Sequence, residues 1–199
     1  MRVNILGCAP GWEEAPYDNG ARWGINDVHK VAKQTDLAID CHNLKRVMKG
    51  KETLGRRSIE EVREHLKLVK KKELPMLCTT EFKNIPSIKR YPIEDVIKRF
   101  GSDYFSSGID YAIAYALYKG FTAIHLYGIL LCVTQDEYFA QKPSVEHWAG
   151  IAIGMGVEFK VHDSTAKKRC TLFKTKFGNL YGFNIEQKNP MYVFHDKGR

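Results

Sequence analysis

Residues 105–131, FSSGIDYAIAYALYKGFTAIHLYGILL, constrain the fold of this chain more than any other stretch. Apolar residues at Ile109, Ala112, Ile113, Ala116 and Leu117 recur at helical spacing. Ser107, with Asp110 three places on, is a capping-box variant at the helix start, and Gly120 stops the helix. Phe121 to Tyr127 is a short run of apolar, aromatic and branched residues, the pattern of a buried strand, and Gly128 follows it. A small-residue loop that opens a helix presents unpaired backbone N–H groups and the positive end of the helix dipole. Ser106, Ser107 and Gly108 are therefore candidate phosphate contacts. An Ala-rich helix beside a strand also serves core packing in any α/β protein.

The rest of the chain repeats the pattern of strands that end in small or polar residues. Arg2–Leu6 reads as a first strand and ends at the turn Gly7-Cys8-Ala9-Pro10-Gly11, whose small side chains let a ligand approach the backbone. The turn is neither G-x-G-x-x-G nor a Walker loop. Arg22–Ile25 is a second strand, ending in Asn26, and Val28–Lys33 reads as a helix. Asp36–His42 reads as a third strand whose polar end is Asp40, Cys41 and His42. In open parallel sheets ligands bind beyond the carboxyl ends of the strands. Gly7–Gly11, Asn26, His42 and Gly128 all stand at such ends.

Lys45–Arg57 reads as a basic loop. Ser58-Ile-Glu-Glu61 opens a helix that runs to about Lys72. A short strand follows near Leu74–Thr79, then an irregular stretch from Phe82 to Pro92 and a short amphipathic helix, Ile93–Phe100. Leu130–Lys142 reads as a polar and aromatic loop, Pro143–Met155 as a helix, and Val157–Val161 as a strand with His162 at its end. Lys167–Arg199 is basic and aromatic, suited to a strand pair or to an extension over the sheet.

The length of 199 residues suits one α/β domain with an appended segment. No apolar run approaches the roughly 20 residues of a membrane span, and the N-terminus has the pattern of a strand rather than a signal peptide. Five scattered cysteines with no C-x-x-C pair point to a reduced, cytoplasmic protein and away from zinc. The net charge of +8 favours an anionic partner. Signatures of sequence-specific nucleic-acid binding are missing, so nucleic acid, held through the basic tail, ranks behind a nucleotide.

Residues 105–130, with ILGCAPG at 5–11 and WGIND at 23–27, resemble the Rossmann-like group that contains the CMP-sialic-acid sialyltransferases of glycosyltransferase family 42 and the DUF115, MptE-like proteins. Glu137–Ser164 resembles short phage and prophage members in particular. The resemblance spans Arg2 to Ser164. It implies a Rossmann-like, mostly parallel sheet flanked by helices, as one nucleotide-binding domain over residues 1–166 with a C-terminal extension over 167–199. It implies nucleotide contacts from Gly7, Cys8, Ala9, Pro10, Gly11, Asn26, Ser107 and Gly108, to which position at a strand end or helix start adds His42, Ser106 and Gly128. Tyr138 would hydrogen-bond the departing phosphate, and His162 would be the catalytic base.

The expected activity is metal-independent transfer of a glycosyl group from a nucleotide sugar, with no further cofactor. The chain departs from the family pattern at Leu130, where an Asp is usual, and at Cys8, Gly11 and Cys132. Those departures suit an alternative, a phage-type protein that binds and sequesters a nucleotide without turnover. Pyrophosphate transfer to a pterin-like alcohol would need carboxylates assembled around Mg²⁺, which the spacing of Asp27, Asp40, Asp136, Glu137 and Asp163 does not supply. Self-association is left open.

Overall fold

The computed structural model describes residues 1–50, 57–131, 134–162, 172–173, 180–182, 185–186 and 193–194. Strand-forming runs place β1 at Arg2–Leu6, β2 at Ala21–Ile25, β3 at Leu37–Asp40, β4 at Met76–Cys78, β5 at Ile88–Arg90, β6 at Ala123–Tyr127, β7 at Glu158–His162 and β8 at Val193–Phe194. They form one sheet in the order β5-β4-β3-β2-β1-β6-β7-β8. Each neighbouring pair of these strands is parallel. This is the expected Rossmann-like α/β sheet. The chain lays down β1 to β5 in one direction, then returns to place β6 on the other side of β1. The junction of β1 and β6 is the topological switch point, where such sheets bind ligands.

Helices cover both faces. Leu44–Met48 (α1) and Ile59–Lys72 (α2) carry Leu44, Val47, Val62, Leu66 and Val69 against Ala38, Met76, Cys78 and Ile88. Ile93–Phe100 (α3), Gly108–Tyr118 (α4) and Lys142–Gly154 (α5) cover the other face. There the alternating residues Val3, Ile5, Ile124, Leu126, Phe159 and Val161 meet Ile113, Ala116, Trp148 and Ala149. Trp148 is fully buried, and its indole N–H donates to the Tyr104 carbonyl at 2.8 Å. The alanines of α4 let that helix lie close on the sheet. Both expected helix starts carry complete capping boxes, Ser58 with Glu61 and Ser107 with Asp110.

Four local expectations change. The expected basic loop from Lys45 begins as α1, because Asn43 caps it through the Arg46 N–H and Leu44 and Val47 find a core. The helix expected over Val28–Lys33 is a single 3₁₀ turn at Val28–Lys30, after which the chain turns back so that Asp36 pairs with the Arg22 backbone. The irregular stretch before Pro92 contains β5, in which Ile88 is buried and Lys89 and Arg90 are exposed. The loop after Leu131 contains a π-helix, Glu137–Gln141, that runs straight into α5. Of the C-terminal extension, Val193 and Phe194 pair with Val161 and His162 of β7. The boundary at residue 166 lies outside the described residues.

At the switch point the backbones of two loops touch. The Gly7 N–H donates to the Tyr127 carbonyl at 2.8 Å, and the Ala9 N–H to the Gly128 carbonyl at 3.0 Å. A Cβ on Gly7 would run into the Gly128 carbonyl, and one on Gly128 into the Ala9 carbonyl. Gly128 also has φ +63°, in the left-handed region. Gly101 has the similar φ of +66°, and a Cβ there would meet nothing within 4 Å. Gly101→Ala is therefore expected to cost about 1 kcal/mol, the conformational term alone, and Gly128→Ala about 2 kcal/mol more. Urea denaturation midpoints of the two variants check this difference.

Candidate functional site

The turn after β1, the end of β2, the loop after β6, the first turn of α4 and the π-helix enclose a cavity of about 180 Å³. Its walls are Gly7, Cys8, Ala9, Ile25, Asn26, Ile109, Gly128, Ile129, Leu130, Leu131, Glu137 and Gln141. Among the expected nucleotide contacts, Gly7, Cys8, Ala9, Asn26 and Gly128 line it. Pro10 and Gly11 continue the turn into the 3₁₀ turn Trp12–Glu14 without lining the cavity. Ser106, Ser107 and Gly108 stand at the start of α4 next to Ile109, with Gly108 against the Asn26 side chain. Glu137, Gln141, Ile109 and Leu130 also form the wall, although Glu137 and Gln141 read only as loop residues in the sequence. A second cavity, of about 230 Å³, lies at the amino ends of β3 and β4, among residues that include His29, Lys33, Thr35 and Lys72.

Asn26 adopts φ +52°, the left-handed region that asparagine tolerates better than most residues. Its N–H donates to Ile39 of β3 at 3.0 Å. Its side-chain Oδ1 is buried without a hydrogen-bond partner. Around α4, the Asp110 carboxylate is buried, and its Oδ2 accepts from the Ser106 and Ser107 N–H groups at 2.8 and 2.9 Å. The Ser144 hydroxyl of α5 donates to the same oxygen at 2.6 Å. Burial pushes the Asp110 carboxyl up despite these donors. The network ties the start of α4 to the start of α5 beside the π-helix.

Next to the cavity, beyond β2 and β3, lies a charged cluster. Asp40 is fully buried. Its Oδ1 meets His42 Nδ1 at 2.6 Å, and its Oδ2 accepts from Arg57 at 2.7 Å. The same Arg57 guanidinium reaches Asp27 at 2.9 Å, and His65 Nδ1 stands 2.8 Å from Asp27. Burial alone would raise the Asp40 carboxyl, but His42 and Arg57 outweigh it and hold it well below the usual carboxylate range. The Cys8 thiol on the cavity wall is raised, first by burial, and the charges of Asp27, Arg57 and Asp40 all reach it. His42 thus belongs to this cluster and does not line the cavity. Among the described residues, no group of three or more His, Cys, Asp or Glu side chains is placed to hold a metal ion. Arg57 occupies the place between the two carboxylates.

His162 ends β7 beside Tyr127, and its ring stacks on the Tyr127 ring at 4.1 Å between centroids. Its Nε2 is 3.0 Å from His125 Nδ1, and His125 Nε2 is 3.3 Å from the Glu158 carboxylate. A carboxylate only accepts, so His125 carries its proton on Nε2. The His125 Nδ1 then accepts from His162 Nε2–H, which leaves the His162 lone pair on Nδ1. Burial, then the neighbouring charges, push both histidines down to about 4. His162 does not line the cavity, but its strand neighbour Tyr127 directly precedes Gly128, which does. Tyr138 lies in the π-helix next to Glu137, and its side chain lies outside the described residues.

Solved structures similar to this chain in fold include those of a sialyltransferase. CstII from Campylobacter jejuni, in complex with the substrate analogue CMP-3FNeuAc, superposes with a TM-score of 0.52 at 15% identity, over 85% of this chain and 80% of that chain. A variant of the same sialyltransferase in complex with CMP gives 0.51 at 14% identity, over 81% of this chain and 80% of that one. At this identity the likeness is one of fold. No protein-family profile matches the chain, and no curated protein does. No helix among the described residues is long and apolar enough to cross a membrane.

His29 joins the two histidines above: it is fully buried, and burial first, then His65, push it down to about 4. A histidine whose folded pKa lies below its unfolded value of about 6.5 takes up a proton more readily when unfolded. Its contribution to stability is full above pH 6.5 and is lost as pH falls toward 4. The buried pair His29 and His125 is expected to cost about 1 to 2 kcal/mol each between pH 7.5 and pH 5. Urea midpoints at the two pH values measure the loss, and His29→Gln should make it smaller. Equal midpoints in the wild type would contradict the assignment.

Proposed function

We propose that the protein is a glycosyltransferase of the family 42 type, transferring a sugar from a nucleotide donor to a hydroxyl acceptor without a metal ion. The cavity at the β1–β6 switch point carries this reading. It is walled by the close-packed turn Gly7–Ala9, by Gly128 and by Asn26, the polar end of β2. The shared fold with sialyltransferases solved with CMP and with a CMP-sugar analogue supports the same class of donor. The nucleotide lies in this cavity, and Pro10, Gly11, His42 and Ser106–Gly108 border it as the surrounding frame.

In the reaction, the acceptor hydroxyl gives its proton to His162, whose lone pair on Nδ1 is fixed by the relay through His125 to Glu158. The acceptor oxygen forms its bond to the anomeric carbon. The bond from that carbon to the phosphate oxygen breaks, and its electron pair leaves with the nucleotide. Tyr138 donates a hydrogen bond to the departing phosphate, where negative charge develops.

Incubation with a panel of nucleotide sugars, CMP-sialic acid among them, and hydroxyl acceptors tests the proposal, with release of free nucleotide as the readout. Turnover is expected for one donor class. Binding without turnover would leave a nucleotide-binding protein and end the transferase reading. His162→Ala should lower turnover about 100-fold or more. Because His162 is pushed down to about 4, it is unprotonated and competent across neutral pH. The wild-type kcat/KM is expected to stay flat from pH 8 to about pH 5 and to fall below that. Near-wild-type turnover in His162→Ala would remove His162 from this role.

A further inference from the structure

The cavity at the switch point is small for a nucleotide sugar. Sites for small molecules commonly measure about 300 to 1,000 Å³, and this one measures about 180 Å³. Such a ligand therefore reaches past the walls, along the carboxyl ends of the neighbouring strands. His162 stands on one flank, beyond β6. On the other flank β2 ends at Asn26, a wall residue whose N–H donates to Ile39 of β3, and the end of β3 carries Asp40 and His42. Adjacent strands lie only about 5 Å apart. The Asp40 charge accordingly reaches the Cys8 thiol on the cavity wall.

His42 is held so that one ring nitrogen stays open. Its carbonyl accepts from the Leu44 N–H at 2.9 Å and from the Thr79 hydroxyl at 3.1 Å, which fixes its backbone. Asp40 is fully buried, and Arg57 donates to its Oδ2 at 2.7 Å. The other oxygen, Oδ1, meets His42 Nδ1 at 2.6 Å. A carboxylate only accepts, so Nδ1 carries a proton, and in the neutral ring the lone pair is on Nε2. The His42 side chain is 40% exposed, and among the described residues nothing hydrogen-bonds its Nε2. Other histidines differ: His29, His65 and His125 are buried, and His147 Nε2 meets the Ser102 hydroxyl at 2.8 Å. A ring whose orientation and tautomer are set by a buried carboxylate, with its second nitrogen open, is arranged to accept a hydrogen bond from a ligand. Hydroxyls are the donors that a nucleotide sugar carries in greatest number, on the ribose and on the transferred sugar alike.

We propose that His42, oriented by Asp40, is a ligand-binding residue whose Nε2 accepts a hydrogen bond from a sugar hydroxyl of the ligand. This rests on the nucleotide-sugar reading above and adds a specific contact one strand beyond the cavity, on the flank opposite His162. The ribose and the transferred sugar are the two sources of such a hydroxyl, and the experiment separates them.

Nitrogen-15 spectra of the full chain with labelled histidine, taken at pH 8, test it. The probes are the tightest-binding of CMP, UMP, AMP and GMP, its 2′,3′-dideoxy form and a nucleotide sugar of the same base. In the free protein His42 should show a protonated Nδ1 and a bare Nε2. A ligand that donates to Nε2 should move that resonance upfield. A shift with the nucleotide that the dideoxy form does not reproduce assigns the ribose, and a shift with the nucleotide sugar alone assigns the transferred sugar. By calorimetry, His42→Phe should weaken the ligand that carries the hydroxyl about threefold to tenfold and leave the ligand lacking it unchanged, with His42→Gln in between. A protonated Nε2 in the free protein, a shift shared by the dideoxy form, no shift with any bound probe, or an equal loss for both ligands in His42→Phe overturns the assignment while leaving a nucleotide-binding protein. The spectra of the wild type decide even if a variant fails to fold. Failure of every probe to bind overturns the nucleotide reading and this inference together.

Discussion

The contact on which the structure turns is the backbone approach of two loops at the carboxyl ends of β1 and β6. Two hydrogen bonds, from Gly7 to Tyr127 and from Ala9 to Gly128, join them, and no side chain fits between. Parallel strands need their partners in register, and this pair runs in register from Arg2 with Ala123 to Leu6 with Tyr127. The chain leaves β1 toward β2 and returns to its other side as β6. The two loops must therefore diverge above the sheet, and the crevice between them follows from the strand order. The same approach spends the amides of the turn on holding the loops together. Small residues and branched apolar side chains line much of the crevice.

The polar groups around the crevice are arranged in networks. Asp40, Asp27, Arg57, His42 and His65 meet beyond β2 and β3. Asp110 gathers Ser106, Ser107 and Ser144 and so fixes the start of α4 beside the π-helix. Removing one member of such a buried set leaves its partners uncompensated, so each network fixes geometry more than it adds net stability. Glu158, His125 and His162 form a third chain, on the polar residues of β6 and β7, and its proton order is set by the carboxylate at its end.

Much of the fold is legible where local chemistry repeats. Ser107 with Asp110 and Ser58 with Glu61 mark their helices, because a capping box is written within four residues. β1, β2 and β6 show as apolar runs because they are buried on both faces. β5 does not: it is an edge strand of three residues with one buried side chain, too short to show a period. The π-helix carries no local signature, so nothing in the sequence marks Glu137 and Gln141 as cavity residues. Strand ends at Gly7, Asn26 and Gly128 are readable as a converging set from the parallel-sheet rule. The pairing of Arg57 with Asp40 and Asp27 is not, since it joins residues 17 and 30 positions apart that meet only once β2 and β3 are laid side by side. For the same reason His42, a polar strand end by sequence, belongs to that cluster rather than to the cavity wall.

Occupation of the cavity between β1 and β6 by a nucleotide is the claim on which the functional reading stands. Backbone amide shifts of the ¹⁵N-labelled protein on titration with the tightest-binding nucleotide measure this directly. The largest shifts are expected at Cys8, Ala9, Asn26, Ile109, Gly128 and Glu137. Shifts centred instead on Lys33, Thr35 and Lys72, at the opposite ends of the strands, would contradict it.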